Sequence, residues 1–225
     1  MEQTEQTAPL ERMGEFFDRR LEGYETHQLE TIAGAKEFYP FTAAQLPAEP
    51  EASILDLGCG TGLELSWYFR RNPTARVTGI DLAPGMLAAL GERFREKALT
   101  LICGSYFDAE LGEERYDGAV SVESLHHFPA AEKLPLYRKL YAALRPGGAF
   151  LLTDYFAADD EEERRFRREL LRLREEQGLA ADVFYHYDTP LTVDHERETL
   201  ERAGFAVELL GRWAATACLR AVKPR

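Results

Sequence analysis

The sequence predicts an α/β protein in which a mostly parallel β-sheet carries helices on both faces. Three observations predict this fold class. Apolar segments of strand length alternate with segments of helical periodicity, the first strand runs into a glycine-rich turn, and the connections between strands are long enough to hold a helix. Parallel strands need such crossovers, which pack on the faces of the sheet. The length of 225 residues suits one domain with additions.

The predicted elements follow the chain in a regular order. Two leading helices are predicted between Glu11 and Leu46, broken near Gly23 and Pro40. The predicted strands are 52–57, 75–81, 99–104, 116–122, 149–154, 205–210 and 214–222. The predicted helices between them are 63–71, 84–96, 132–144, 159–178 and 193–203, and residues 145–148 form a turn. The helix at 159–178 interrupts the alternation and is therefore an insertion after the fifth strand.

The charge balance disfavours nucleic acid as a partner. The chain has 27 Lys plus Arg against 39 Asp plus Glu, and the resulting net charge of −12 repels a phosphate backbone. Arginines crowd residues 164–174, but glutamates interleave with them, which is typical of a solvated helix surface. We therefore disfavour a nucleic-acid partner without excluding a local basic patch.

Composition also indicates the cellular compartment of the protein. The apolar runs are too short to cross a bilayer, and the polar first nine residues, with Glu2 and Glu5, do not resemble a signal peptide. The three cysteines are odd in number and widely spaced, so no disulfide framework is expected. These features predict a cytoplasmic protein with no membrane association.

The main chemical signal is the segment 54–62, which reads Ile-Leu-Asp-Leu-Gly-Cys-Gly-Thr-Gly. Glycines let the backbone turn tightly and let a ligand approach closely, and their GxGxG spacing differs from the GxGxxG of dinucleotide sites. Asp81, at the end of the next predicted strand, can accept hydrogen bonds from ribose hydroxyls. Asp56 is suited to an ammonium group. A ribose and a cationic amino acid together describe S-adenosylmethionine.

Four segments carry a resemblance to a known family. They are Asp56 to Gly62, Gly79 to Leu82 with Met86, Tyr116 to Phe128, and Leu144 to Gly148. In this order they resemble the successive motifs of class I S-adenosylmethionine-dependent methyltransferases, over about residues 52–154.

The resemblance implies a Rossmann-like, seven-stranded sheet whose last strand is antiparallel. It further implies that Gly58 and Gly60 face the methionine part of the cofactor and that Asp81 holds the ribose. Leu82 and Met86 are implied to border the adenine.

Further cofactor contacts are expected from three polar residues. The family often has an acidic residue after the glycine of the third strand, whereas here Ser105 and Tyr106 follow Gly104. We expect the Ser105 hydroxyl and the Tyr106 amide to serve the adenine instead. Tyr24 lies in a segment similar to one that covers the cofactor in small-molecule members, although packing against the sheet is an equal alternative.

The segment after the fourth predicted strand supplies the candidate catalytic residues. Ser121 is assigned to the cofactor site, and His126 and His127 are candidate bases that would take a proton from the acceptor while neutral. Capping or packing is the alternative role for each histidine. Because adjacent side chains are expected to point in different directions, we predict that the two do not share a metal ion and that no metal is bound.

A second polar and aromatic group is expected to contact the acceptor. It consists of Tyr155, Tyr185, His186 and Tyr187, in which the last three follow the inserted helix. With that helix they would form a substrate lid, or else anchor the insertion. The domain prediction is thus a helical cap (1–46), a cofactor-binding core (52–155), an inserted lid (156–192) and a C-terminal helix with two strands (193–225).

The predicted function is methyl transfer from S-adenosylmethionine to a small-molecule acceptor whose identity, like the oligomeric state, stays open. One alternative is a relative of tRNA wobble-uridine-modifying proteins that bind a carboxylated S-adenosylmethionine, which needs a nearby arginine. A second is a catalytically silent cofactor-binding partner that regulates another enzyme. A third, a nicotinamide-dependent oxidoreductase, conflicts with the GxGxG spacing.

Overall fold

The computed structural model describes residues 9–180 and 182–225, which contain a seven-stranded sheet. Its strands are β1 (Ser53–Leu57), β2 (Arg76–Asp81), β3 (Ala98–Cys103), β4 (Tyr116–Val122), β5 (Leu144–Tyr155), β6 (Ala206–Trp213) and β7 (Thr216–Val222). The spatial order is β3-β2-β1-β4-β5-β7-β6. β7 is antiparallel to β5 and β6, and the other neighbours are parallel. The predicted fold class, with its antiparallel last strand, is confirmed.

The helices are α1 (Met13–Arg19), α2 (Tyr24–Thr31), α3 (Ala35–Gln45), α4 (Leu63–Arg71), α5 (Pro84–Arg93), α6 (Ala130–Ala143), α7 (Asp160–Glu176) and α8 (Val193–Arg202). Within residues 9–180 and 182–225, none of them combines the length and apolarity needed to cross a membrane. The part of the predicted cap before Pro9, and the signal-peptide argument from Glu2 and Glu5, lie outside the described residues.

The leading region corrects the prediction of two helices, since it holds three. Gly23 and Gly34 separate them, with left-handed φ angles of 87° and 85° that a helix cannot contain. A side chain at Gly34 would also collide with Trp213. Pro40 does not end a helix but lies inside α3. The breaks therefore fall where the backbone reverses its handedness, and the proline only removes one amide donor.

The predicted turn at 145–148 is also corrected, because these residues belong to β5. Leu144 pairs with Tyr116, the register then shifts, and regular pairing resumes at Ala149 opposite Gly118. The glycines thus accommodate an irregularity within a strand.

The sheet separates two apolar clusters, one on each face. Neighbouring residues of β1 alternate between them: Leu55 packs in the cluster that contains residues of α6 and α8, and Ile54 packs in the cluster with residues of α3 and α4. Between α6 and α8, Lys133 and Glu196 form a buried ion pair, and each side chain is 1% exposed. This core fixes the strand ends on which the site is built.

The insertion after β5 is confirmed as a single long helix, α7. Its N-terminus is capped by Asp159, whose carboxylate accepts hydrogen bonds from the amides of Glu161 and Glu162 at 2.9 and 2.8 Å. Its C-terminal end meets the start of the described chain, since the Leu10 amide donates to the Gln177 side chain at 2.9 Å. The insertion and the leading segment therefore lie side by side.

Candidate functional site

A cleft opens at the carboxyl edge of the parallel strands, where β1, β2 and β4 end next to one another. Ligands of open α/β sheets bind at this edge. The cleft is lined by Met13, Phe17, Tyr24, Gly58, Gly60, Asp81, Leu82, Met86, Tyr106, Glu123, Ser124 and His127. The structure thus brings together most of the residues predicted for the cofactor. A wider groove lies at the opposite edge, around Ser53, Arg76 and Tyr116, and contains none of them.

The glycine turn forms the floor of the cleft. Gly58, Gly60 and Gly62 have φ angles of 72°, 49° and 71°, in the left-handed region that favours glycine. A Cβ at Gly58 would collide with the Ser124 hydroxyl. A Cβ at Gly60 would instead project into the cleft, where its closest neighbour is the Tyr24 hydroxyl at 3.7 Å. The missing side chain at Gly60 therefore leaves space that a ligand can fill.

Asp81 lies beside this turn and holds it in place. One carboxylate oxygen accepts from the Gly60 amide and the other from the Ala83 amide, both at 2.8 Å. Burial raises the pKa of Asp81, and these two hydrogen bonds partly offset the effect. Each oxygen keeps a second lone pair, so the carboxylate can still accept from hydroxyls of a ligand in the cleft.

Asp56 is placed differently from the prediction, because it lies beneath the turn and does not line the cleft. It is 1% exposed and lies against Glu64, which is buried with 4% exposure. Burial and the charge of Glu64 raise the pKa of Asp56 well above its ordinary value. One oxygen of each carboxyl group, with the Thr61 hydroxyl, has no hydrogen-bond partner among the described residues. The strand alternation turns Asp56 toward α4, away from the open edge.

Two serines assigned to the cofactor do not reach the cleft. Ser121 is fully buried, and its hydroxyl donates to the Leu57 carbonyl at 2.8 Å, so it ties β4 to β1. The Ser105 hydroxyl accepts from the Phe107 amide at 3.1 Å and thus caps a local turn. Tyr106 does line the cleft, and its hydroxyl lies 3.4 Å from that of Ser124. Both hydroxyls thus contact the backbone, and neither serine is part of the cleft lining.

The two adjacent histidines converge, contrary to the prediction that they point apart. Leu125–His127 is a short 3-10 helix, and the centroids of the two imidazole rings lie 4.0 Å apart. His126 Nδ1 is 2.5 Å from Asp154 Oδ1. His126 Nε2 and His127 Nδ1 lie 3.5 and 3.2 Å from the same oxygen, Oδ1 of Asp188. The sequence analysis assumed that neighbouring side chains point in different directions. The tight turn instead places both rings on one side.

Burial and the neighbouring charges shift the pKa values of the two histidines in opposite directions. Burial by itself lowers the pKa of His126, but the carboxylates of Asp154 and Asp188 raise it well above its ordinary value. Burial and the neighbouring His126 lower the pKa of His127. The expectation of a neutral imidazole therefore fits His127, which lines the cleft, and not His126, which lies between two carboxylates.

Comparisons with known proteins point to one family. Residues 54–148 match the family described as "Methyltransferase domain". An uncharacterized methyltransferase of Geobacillus thermodenitrificans is 28% identical over 95% of both chains. Over 47% of this chain, the malonyl-[acyl-carrier protein] O-methyltransferase of Priestia megaterium is 30% identical, and the chain spans only 37% of that relative.

A solved structure, human N-acetylserotonin methyltransferase in complex with SAM, aligns over 93% of this chain and 55% of its own. The TM-score is 0.62 at 19% identity, so this likeness concerns the fold. The segment 54–148 is therefore similar to methyltransferase domains, and the fold around it is that of a class I methyltransferase. The family match covers β1 to β5 and thus includes the glycine turn, Asp81 and the two histidines.

Glu123 is a site residue that the sequence analysis missed. It follows β4, lines the cleft and has a left-handed φ of 51°, which is uncommon for a side chain other than glycine. Its carboxyl group accepts from the Thr216 hydroxyl at 3.1 Å. Burial and the nearby Asp154 raise the pKa of Glu123 to about 8. Its position at the carboxyl end of a parallel strand was the available signal.

The predicted acceptor residues occupy different places around the cleft. His186 stacks on Phe16 of α1 at 3.5 Å between ring centroids, and its ring lies 5.0 Å from that of His127. Tyr185 forms a bridge with Arg12, away from the cleft floor. The hydroxyl of Tyr187 is buried and has no hydrogen-bond partner within residues 9–180 and 182–225. The segment thus joins the leading helix over one end of the cleft.

Tyr155, at the end of β5, is half-buried near the histidines. Its ring centroid lies 6.0 Å from that of His126 and 6.4 Å from that of Phe166 in α7. Burial raises the pKa of Tyr155 to about 12. Tyr155 therefore sits between the histidine cluster and the inserted helix, where it can border an acceptor.

Proposed function

We propose that this chain is an S-adenosylmethionine-dependent methyltransferase that acts on a small-molecule acceptor. The observation that carries the proposal is the open face of Gly60 beside the Asp81 carboxylate. A left-handed glycine whose Cβ position has no neighbour closer than the Tyr24 hydroxyl at 3.7 Å allows close ligand approach, and the adjacent carboxylate has free lone pairs. These features fit a ligand with a ribose. The unpartnered buried oxygens of Asp56 and Glu64 beneath the turn favour a cationic ligand above it.

The residues that would hold the cofactor follow from the lining of the cleft. Gly58 and Gly60 would offer backbone groups, Asp81 would bind the ribose hydroxyls, and Leu82 and Met86 would contact the adenine. Tyr24 covers the turn from α2, where it would slow the escape of the ligand. When bound, S-adenosylmethionine supplies a methyl group on a sulfonium, which has a good leaving group.

The acceptor is proposed to enter at the end of the cleft that holds Glu123 and His127. Transfer depends mainly on holding the reacting atoms in line, and the packed aromatic segment at His186 would restrict the acceptor and exclude water. His127 would contact the acceptor, whereas His126, held by Asp154, would position the cluster behind it. Since a dedicated base is optional for this chemistry, alignment carries most of the rate in this proposal.

The charge of the cleft narrows the acceptor class. The Asp81 carboxylate lines the cleft, the raised pKa of Glu123 adds a carboxyl group that becomes negative as pH rises through about 8, and the described lining contains no lysine or arginine. Anionic groups such as phosphates would be repelled there. We therefore propose a neutral or cationic acceptor with a nucleophilic oxygen, nitrogen or sulfur.

A carboxylated cofactor is not favoured by the positions of the arginines. The α7 arginines whose ion pairs are described face outward: Arg165 pairs with Glu162, and Arg172 pairs with Glu169 and Glu176. A cofactor carboxylate would require an arginine in the cleft lining. The ordinary form of S-adenosylmethionine is therefore the proposed cofactor.

The proposal is tested by calorimetric titration of the chain with S-adenosylmethionine. We expect micromolar binding, equivalent to about 8 kcal/mol, which falls at least tenfold in Asp81→Ala. Asp117→Ala is the matched control, because Asp117 is a half-buried aspartate that accepts from the Ser53 amide at the opposite edge of the sheet. Absence of binding by the unmodified chain, or equal binding by Asp81→Ala and the control, would contradict the proposal.

A further inference from the structure

The His126, His127 and Asp188 side chains form a compact cluster in which both imidazoles face the Asp188 carboxylate. His126 Nε2, His127 Nδ1 and a carboxylate oxygen of Asp188 all lie within 4.8 Å of one another. The two nitrogens approach the same oxygen, at 3.5 and 3.2 Å. Both histidines are buried, at 8% and 6% exposure. Two buried imidazoles and a carboxylate that share a focus make up a common ligand set for a transition metal.

The spacing of these atoms matches tetrahedral coordination. Zinc bonds to histidine nitrogen and carboxylate oxygen are about 2.0–2.2 Å long, so two ligands at a tetrahedral angle are separated by about 3.4 Å. The observed separations of 3.2 and 3.5 Å lie on either side of that value. A nitrogen-to-oxygen hydrogen bond is usually about 2.9 Å, and the 3.5 Å contact is too long for a good one. Both separations are thus compatible with three ligands around one ion.

The surroundings of His126 add an independent observation. Its Nδ1 is 2.5 Å from Asp154 Oδ1, and Asp154 is itself fixed by the amides of Leu125 and Tyr155 at 2.8 and 3.0 Å. Metal-binding histidines almost always donate their second ring N–H to such a carboxylate, which sets the tautomer and the ring orientation. Here this arrangement leaves Nε2 as the atom directed at Asp188.

The connecting loop is fixed to the histidine turn. The Thr189 amide donates to the His126 carbonyl at 2.9 Å. His127 Nδ1 lies 3.3 Å from the Tyr187 carbonyl, a long contact through the Nδ1 proton that an ion bound at Nδ1 would replace. Asp188 lies between these two contacts. Its side chain is 43% exposed, which provides a path for an ion from solvent. The ligands are therefore positioned and accessible.

We propose that His126, His127 and Asp188 bind one divalent transition-metal ion, and that zinc fits the geometry best. Three protein ligands leave a fourth tetrahedral position open, as in catalytic zinc sites. Asp154 acts as the positioning residue for His126. The sequence-based prediction of no metal rested on divergent side chains, and that premise does not hold in the structure.

A use for the ion follows if the proposed function is correct, on which this step rests. His127 lines the cleft, so the ion would lie next to the acceptor. An acceptor hydroxyl or thiol that takes the open position becomes more acidic and releases its proton to solvent. Its oxygen or sulfur then forms a bond to the methyl carbon as the bond from that carbon to the sulfonium sulfur breaks. The products are the methylated acceptor and S-adenosylhomocysteine.

The site is tested with the full chain after treatment with a chelator and dialysis. Calorimetric titration with zinc chloride should give one equivalent, and cobalt(II) should give the intense visible bands of tetrahedral coordination. We expect His127→Gln and Asp188→Asn to abolish stoichiometric binding. Asp154→Asn should weaken it about 10–100-fold, the usual effect of losing a carboxylate behind a ligand.

The matched control is His195→Gln. His195 Nδ1 lies 2.8 Å from Glu163, and its Nε2 lies 3.9 Å from Asp160, so it is a single histidine beside two carboxylates. This variant should bind zinc as the unmodified chain does. Near-ultraviolet circular dichroism of each variant shows whether it is folded, and zinc binding by the folded Asp154→Asn protein gives a second measure if Asp188→Asn unfolds.

The outcomes separate this inference from the proposed function. No stoichiometric zinc binding by the unmodified chain, or unchanged binding in folded Asp188→Asn, would overturn the metal site. If S-adenosylmethionine binds the metal-free chain while zinc does not, only the metal site fails. If zinc binds while S-adenosylmethionine does not, the site stands and the proposed function fails.

Discussion

Substitution of Gly60 by alanine tests whether a ligand lies across the glycine turn. The φ of 49° at Gly60 is in the left-handed region, which costs a residue with a Cβ about 1–2 kcal/mol. For a chain of this length we expect a fall in Tm of about 2–8 °C. The added methyl group has no protein atom within 3.7 Å and would project into the cleft. Its larger effect should therefore be on ligand binding.

Gly178 provides the control for this substitution. It is exposed at the end of α7, its φ is 61°, and a Cβ there has no neighbour within 4 Å. Gly178→Ala should thus lower the Tm by a similar amount without changing the cleft. In calorimetry we expect Gly60→Ala to bind S-adenosylmethionine at least tenfold more weakly, a loss of about 1.4 kcal/mol, and Gly178→Ala to bind normally. Equal affinities in the two variants would refute the reasoning.

Three further predictions concern the cover of the cleft and the buried charges. Tyr24→Ala removes the side chain over the turn, so S-adenosylmethionine should dissociate several-fold faster in stopped-flow measurements; an unchanged rate would argue against a covering role. The raised pKa of Asp56, buried beside Glu64, means that its stabilising effect is present below about pH 4 and is lost as pH rises through the folded-state pKa. Asp56→Asn should consequently gain stability relative to the unmodified chain between pH 5 and pH 8 in urea denaturation, and a constant difference would contradict this. Lys133→Met leaves the Glu196 carboxylate buried without its partner and should cost about 3–5 kcal/mol, whereas Lys133→Met combined with Glu196→Gln should recover part of the loss. If the double variant is no more stable than the single one in the same assay, the ion pair is not the cause.

The histidine cluster shows why part of the site could not be predicted. Sequence reasoning placed His126 and His127 at the correct edge of the sheet, because the carboxyl ends of parallel strands share that edge. It assumed alternating directions for neighbouring side chains, whereas a 3-10 turn brings both rings together. Their partner Asp188 comes from the loop after α7, which no local pattern connects to β4. Glu123 was missed because its role depends on its unusual backbone conformation and burial.

The sequence by itself determined the order of strands and helices, the glycine turn and the place of Asp81. These features depend on periodicity and on local backbone requirements, which a short segment contains in full. Only the tertiary structure decided which polar groups face the cleft. It buried Asp56 and Ser121, placed Glu123 in the lining of the cleft and brought Asp188 to the histidines, because burial and long-range contact depend on how distant segments pack.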